Sequence, residues 1–386
     1  MSTTPLFYHI LDRDSIYDAL FHYLSPSSIF RTARTCHLAR QASIDYQSRA
    51  FDIHRHLKRF FSDSVGFRAL QAQTGAVISG SNALQFFDRD VYPDSDLDIF
   101  VNIGNALDVC SWIAQNGYSF EPNEMQQAEG ISTYKDAVES FGVRHNELDD
   151  VEWNWHGRSE AYSASVINFV SSADNLEARK VQVIATSSTP MARILTFHST
   201  VVMNAITYRA AYSLFPSETF EHRRLFFFKS TDEISSAAAV NKYYARGWED
   251  LSPTYSMPRY AFLHTYDIGK RWVDDNRSWI IPFDTGDIEG RLAVAGTGHN
   301  SDSLGIDPFS LNSFSVTFTA PEATTERLPD KISGLARLSI DFDLVKSTFF
   351  ENVYTSCREL SLKMDSIIEN LHEILQDEPM LSANQR

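Results

Sequence analysis

Three cysteines among 386 residues, Cys36, Cys110 and Cys357, stand far apart and form no CxxC pair. That excludes a disulfide framework and a cysteine-based zinc site, and it fits a reducing compartment. No stretch approaches 18 consecutive apolar residues, so no membrane-spanning helix is expected. The opening MSTTPLFYHILDRDS has neither the basic region nor the apolar core of a secretory signal. The expectation is a soluble intracellular protein, cytoplasmic or nuclear. Basic charge is also scarce: 34 Lys and Arg face 50 Asp and Glu, for a net charge of -16. Such a surface repels phosphate backbones, so extended nucleic acid is not an expected partner. No serine sits in a GxSxG elbow. No two of the 12 histidines have zinc spacing with a supporting acid, His54-x-His56 being the nearest approach.

What is present is ample material for folded cores: 43% hydrophobic residues, with 27 Phe and 16 Tyr. The length allows two or three units. The pattern divides into a helical unit over 1–62, an alternating strand and helix region over 63–230, and a C-terminal region over 231–386. In the first unit, Ile16, Leu20 and Tyr23-Leu24 share one side of a helix that Asp14-Ser15 can cap. Ser25-Pro26-Ser27 interrupts it and Pro26 opens the next helix. A third segment, YQSRAFDIHRHLKRFF, alternates apolar and basic residues.

The order LDRDSIYDALFHYLSPSSIFRTARTCHLARQAS resembles an F-box. The resemblance rests on Leu11, Ile16, Leu20, Leu24, Pro26, Ile29, Arg34 and Cys36, and covers about 50 residues. It implies docking on a Skp-type ubiquitin-ligase adaptor through Leu11, Ile16, Leu20, Leu24 and Pro26. The family's usual proline after the first leucine is replaced by Asp12, and its tryptophan near position 40 is missing.

The richest chemistry lies in VISGSNALQFFDRDVYPDSDLDIFV, residues 77 to 101. Asp96 and Asp98 stand at i and i+2, so strand alternation sends both to one face, with Cα atoms roughly 6.5 to 7 Å apart. That spacing lets two carboxylates share divalent cations, which phosphoryl transfer uses to neutralise a triphosphate. Upstream, Gly80 lets the backbone approach a phosphate, and Ser81 offers a hydroxyl. The helix starting at Asn82-Ala83-Leu84 turns its N–H groups toward the same anion.

Gly-Ser at one strand end and Asp-x-Asp on the next, 14 residues apart here, looks like the signature of polymerase-beta-like nucleotidyltransferases. The resemblance implies an α+β fold with a mixed sheet flanked by helices. It also implies magnesium on Asp96 and Asp98, and a nucleoside triphosphate as substrate or ligand on Gly80 and Ser81, with Gln182 on the matching later strand; Lys180, next to Gln182, is a candidate phosphate contact that reads first as a solvated strand residue. Family members carry a third carboxylate on a later strand. The matching strand, KVQVIA over 180–185, offers Gln182 instead, which cannot take a proton. Asn168 has the same limitation, and Glu177 reaches the site only if its turn folds back. Catalysis by Asp96 and Asp98 is therefore in question, with nucleotide binding less so. A nucleotidyltransferase-like domain behind an F-box-like start is similar to proteins of filamentous and mushroom-forming fungi. The two functional expectations are a metal-dependent nucleotidyltransferase, or a degraded relative of one, and a non-catalytic ubiquitin-ligase adaptor.

Remaining candidates read first as structural. PMARILTFHSTVVMNAITYRAAYSLF is expected to be the longest apolar helix, carrying His198 and Asn204 behind the site. Lys242 and Arg246 offer positive charge for a triphosphate. His54, Arg55, His56, Lys58 and Arg59 are expected on an amphipathic linker helix. Residues 121 to 163 look polar and irregular. An amphipathic helix closes the chain through Leu360, Met364, Ile367, Leu371 and Ile374.

Overall fold

The computed structural model describes residues 6–93, 95–149, 164–171, 179–187, 189–226, 241–250, 269–294, 307–319 and 337–341. The Glu177 candidate and the closing helix lie outside these residues, as do Cys357 and positions 150–163. Among the described residues no helix is long and apolar enough to cross a membrane.

The strands are β1 (Val77–Ser79), β2 (Leu97–Asn102), β3 (Tyr118–Glu121), β4 (Ala164–Ser171), β5 (Lys180–Thr186), β6 (Asn204–Ile206) and β7 (Ala210–Ser213). They continue with β8 (Arg224–Leu225), β9 (Glu249–Asp250), β10 (Gly269–Trp272), β11 (Trp279–Pro282), β12 (Ser313–Thr319) and β13 (Arg337–Asp341). Eight of them form one sheet in the order β11-β7-β6-β1-β2-β5-β4-β3. All its pairings are antiparallel except β2 with β5, so the fold is α+β with a large mixed sheet flanked by helices. The core runs beneath β1, β2 and β5 and includes Ile78, Leu97, Ile99, Val181 and Val183, each fully buried, with Phe67, Phe87 and Phe169. Burying each such side chain contributes about 1.5–3 kcal/mol.

At the N-terminus, helices Asp14–Tyr23, Pro26–Ala33 and His37–Ala50 pack on Tyr17, Phe21, Ile29, Ala39 and Tyr46. Ser25 caps the second helix by accepting from Ser28 N, and Pro26 occupies its first turn. Tyr17 and Phe21 face inward, so Ile16 and Leu20 stand on the exposed side with Tyr23. This unit is docked on the sheet domain by directed bonds. Arg89 donates to the carbonyls of Phe21 (2.9 Å) and Leu24 (2.9 Å) and to Tyr46 Oη (3.1 Å). Glu221 accepts from the amide and hydroxyl of Ser27.

Three expectations give way. The apolar stretch after Pro190 is no long helix. It breaks into a turn of helix (Pro190–Ile194), a tight turn over Thr200–Val202, and strands β6 and β7. Ser199 caps that tight turn, and the Thr207 hydroxyl holds the β6–β7 turn by accepting from Arg209 N and Ala210 N. Nearly every residue from Ser199 to Phe215 is buried, so apolar periodicity carried no helix-or-strand information. Second, the polar stretch after Glu121 is ordered into helices Glu124–Ala128 and Tyr134–Asp149, the first opened by a capping box between Asn123 and Gln126. Third, residues 279–294, read as part of a separate C-terminal region, supply edge strand β11 and a helix, Gly286–Val294, whose Arg291 pairs with Asp63.

The basic cluster at 54–59 divides by burial. Helix Ile53–Leu57 is capped by Asp52 and turns His56 inward, where its Nε2 meets Asn82 Oδ1 at 2.7 Å. Burial, with Arg59 and Arg55 adding to it, lowers the His56 pKa to about 4, against the bond from Asn82. The folded state thus binds this proton more weakly than the unfolded chain. The contribution of His56 is full above about pH 6.5 and is lost as pH falls toward 4. Replacing His56 with Gln should remove about 3 kcal/mol of acid destabilisation between these limits, read from urea midpoints at pH 4.5 and 7.

Candidate functional site

β1 ends at Ser79, directly opposite Asp98 on β2. Gly80 follows with φ +69°, in the left-handed region that a side chain rarely adopts. A Cβ there would stand 2.5 Å from Asp98 Oδ2, so only glycine lets the turn close against this carboxylate. The nine-residue helix Gly80–Asp88 then starts, its first amides turned toward the Asp98 end of the strands. Ser81 is buried and its hydroxyl lies 2.7 Å from that of Ser95, tying the helix start to the loop that delivers Asp96. It reaches a phosphate only with its remaining hydrogen-bonding capacity.

Asp96 precedes β2 and Asp98 lies within it, both half-buried. Burial raises the Asp98 pKa to about 7, the neighbouring Asp96 charge adds to the rise, and Lys242 opposes it. Lys242 belongs to a helical turn, 241–245, that brings Tyr243 onto His198, ring centroids 5.9 Å apart. Lys242 thus joins the site. Arg246 does not, because its guanidinium stacks on Tyr92 at 3.7 Å while Tyr92 donates to Asp88. Asn204 supports from behind, its carbonyl accepting from Ser79 Oγ.

Gln182 lies next to Asp98 in the strand register. The parallel pairing of β2 with β5 sets it opposite Asp98, and β4 sets Asn168 opposite Gln182. Gln182 Nε2 donates to Asn168 Oδ1 at 3.1 Å. One further pairing, β3 with β4, adds Glu121 opposite Asn168. A single row, Asp98–Gln182–Asn168–Glu121, therefore crosses four strands on one face. Glu121 ends a strand of ordinary polar composition, and only its register across two antiparallel pairings brings it into this row. Asp96, Lys180, Gln182, Asn168 and Glu121 line a cleft of about 110 Å³.

The donor set fits a divalent cation in a limited way. Among the described residues no three of His, Cys, Asp and Glu lie close enough to hold a metal together. Glu121 is three strand spacings from Asp98, about 14 Å, beyond a shared ion. Asp96 and Asp98 remain, with the Gln182 amide beside them. Magnesium is commonly held by one or two carboxylates plus substrate phosphates, and two like charges at a partly dry site are the arrangement a cation relieves. No protein-family model, curated protein or solved structure matches the chain.

The raised pKa of Asp98 carries a sign. Its contribution to stability is full below the unfolded value near 4 and is lost as pH rises through about 7. Asp98→Asn should therefore stabilise the protein at pH 8 without added divalent cations, by about 2–4 kcal/mol, and change little at pH 4.5. Thermal melts at both pH values test this; equal effects at both would overturn it.

Proposed function

We propose that this chain is a nucleotidyltransferase-fold protein that binds a nucleoside triphosphate with magnesium at Gly80, Ser81, Asp96 and Asp98. The observation that carries the reading is the close fit of Gly80 against Asp98: a left-handed glycine at a strand-to-helix turn, packed on a carboxylate whose ionised form the fold disfavours. Stored like-charge repulsion beside a helix N-terminus suits a ligand bringing both anion and cation. Asp96 and Asp98 would hold the magnesium, which neutralises the triphosphate and polarises its phosphorus. Lys242, whose charge acts on Asp98, and Lys180, which lines the adjacent cleft, would meet phosphate oxygens. Transfer to a small-molecule or protein hydroxyl would join the hydroxyl oxygen to the α-phosphorus and release pyrophosphate. Gln182 cannot accept the hydroxyl proton, which would have to pass to solvent water; nucleotide binding does not depend on that step.

The test is titration of each nucleoside triphosphate with and without magnesium, on wild type and Asp96→Ala. Magnesium-dependent binding weakened at least about tenfold by the substitution is expected, as for loss of a charge-assisted contact. Binding indifferent to Asp96 and magnesium would sink the reading.

A second reading, the ubiquitin-ligase adaptor, draws support from one observation. Ile16 (39% exposed), Leu20 (43%) and Tyr23 (86%) form an uncovered apolar stripe on helix Asp14–Tyr23. Leu11 and Pro26 are buried in the helical unit's own packing, so only Ile16, Leu20 and part of Leu24 are offered to a partner. A purified Skp-type adaptor should co-elute with the wild-type chain and not with Leu20→Glu, which is exposed enough to leave the fold intact. Co-elution of both, or of neither, counts against the adaptor role.

A further inference from the structure

The seam between the helical unit and the sheet domain carries chemistry that neither functional reading uses. The two have separate apolar cores, with Ala50 packing on both, so directed polar bonds carry much of the seam. One pair of these bonds converges on a single carboxylate. Glu221 Oε1 accepts from the Ser27 amide at 2.6 Å, and Glu221 Oε2 accepts from the Ser27 hydroxyl at 2.7 Å. Ser27 lies in the first turn of helix Pro26–Ala33, where amides have no partner within the helix. Among the described residues Glu221 forms no ion pair, so these two donors hold its charge. The segment that delivers Glu221 is a turn of π-helix, Ser217–Glu221, followed by Arg223 in a left-handed conformation, φ 54°. Arg89, the other non-glycine residue with left-handed backbone among those described (φ 58°), sits in the same seam. Backbone of this kind persists where packing over-determines it, and it concentrates at switch regions.

We propose that Ser27 is a phosphorylation site and that its modification releases the helical unit from the sheet domain. A protein kinase brings the nucleoside triphosphate. Ser27 Oγ bonds to the γ-phosphorus, the bond from that phosphorus to the β–γ bridging oxygen breaks, and the nucleoside diphosphate leaves. The hydroxyl proton passes to the kinase's base. Glu221 holds the hydroxyl in the docked state, so a kinase reaches it when the seam is open, and the phosphate then blocks reclosure. The donor hydroxyl is gone, and a group with nearly two negative charges faces the Glu221 carboxylate. Helix Pro26–Ala33 keeps its form, because negative charge in its first turn suits the helix dipole. Arg223, two residues after Glu221, does not offset the repulsion, since it pairs with Asp88 and stacks on Trp248 at 3.9 Å. The inference is independent of both functional readings: it uses no residue of the nucleotide site and none of Ile16, Leu20 or Tyr23.

The full chain, prepared with phosphoserine at position 27, is compared with the unmodified chain in limited trypsin digestion. Cleavage after Arg89 is the readout, because its guanidinium is held in the seam by Phe21, Leu24 and Tyr46 and is cut only from the open population. The phosphorylated chain should be cut there at least about tenfold faster, as loss of one charge-assisted contact implies. Glu221→Lys should reverse the order, with the unmodified chain cut fast and the phosphorylated chain cut slowly, since repulsion becomes attraction. Equal cleavage with and without phosphate, or slower cleavage of the phosphorylated wild type, overturns the release. Faster cleavage that Glu221→Lys does not reverse overturns the part given to Glu221. Phosphopeptide mapping of the chain expressed in eukaryotic cells with phosphatases inhibited should find phosphate on Ser27, and its absence there overturns the site.

Discussion

A carboxylate set in the middle of a sheet dictates the architecture around it. Asp98 lies between Ser79 on one neighbouring strand and Gln182 on the other, and both neighbours are polar but uncharged. A second ionised group in either position would add to the cost that already lifts the Asp98 pKa to about 7. Gly80 has no side chain because Asp98 Oδ2 occupies that space. The Ser81–Ser95 bond and the Ser79–Asn204 bond then fix the two chain segments that converge on it. The fold therefore holds a strained electrostatic arrangement with neutral hydrogen bonds. Such strain is retained where the surrounding packing over-determines it, which the continuous core beneath β1, β2 and β5 does.

Much of this centre was legible in the sequence because its signals are local. VISGS and SDLDIFV each carry strand chemistry and a turn residue within a few positions, and the structure brings them side by side. Counting along KVQVIA singles out Gln182, and the parallel register of β5 with β2 sets it opposite Asp98. The failures share one physical cause. After Pro190 the chain is buried on all sides, so apolar spacing could not tell strand from helix. Glu121 and β11 gain their positions from pairing partners about 50 and 70 residues away in sequence, which no local pattern encodes. The polar stretch after Glu121 looks irregular in sequence for the reverse reason. Its helix starts with a capping box whose Asn and Gln look like loop composition until the reciprocal bonds are counted.

The helical unit is tied to the same centre through few residues. Arg89 caps the end of helix Gly80–Asp88 in a left-handed conformation and spends its guanidinium on two carbonyls and a tyrosine of the N-terminal unit. The helix that begins at the candidate phosphate site thus ends at the docking contact. Its start is also held by His56 through Asn82, from the linker between the two units. Ile16, Leu20 and Tyr23 take no part in this docking and remain on the outer side of their helix. A partner could cover that stripe without disturbing the bonds that hold the unit to the sheet domain, so a binding role for the N-terminus and a nucleotide role for the sheet do not compete for residues.

His56 and Asp98 both contact the start of helix Gly80–Asp88, through Asn82 and Gly80, and pull stability in opposite directions with pH. Both are neutral forms favoured by burial: the imidazole loses stability to acid and the carboxyl loses it to base. The neutral imidazole adds no charge of its own behind Asn82, so the helix amides and Lys242 contribute to the field at Gly80-Ser81 without it. The carboxyl, by contrast, carries its charge at a cost as pH rises through about 7, and a cation would offset that cost. An anion with its own divalent counter-ion satisfies both conditions at once, whereas a bare anion would add repulsion to Asp96 and Asp98. The proposed metal–nucleotide reading rests on that asymmetry.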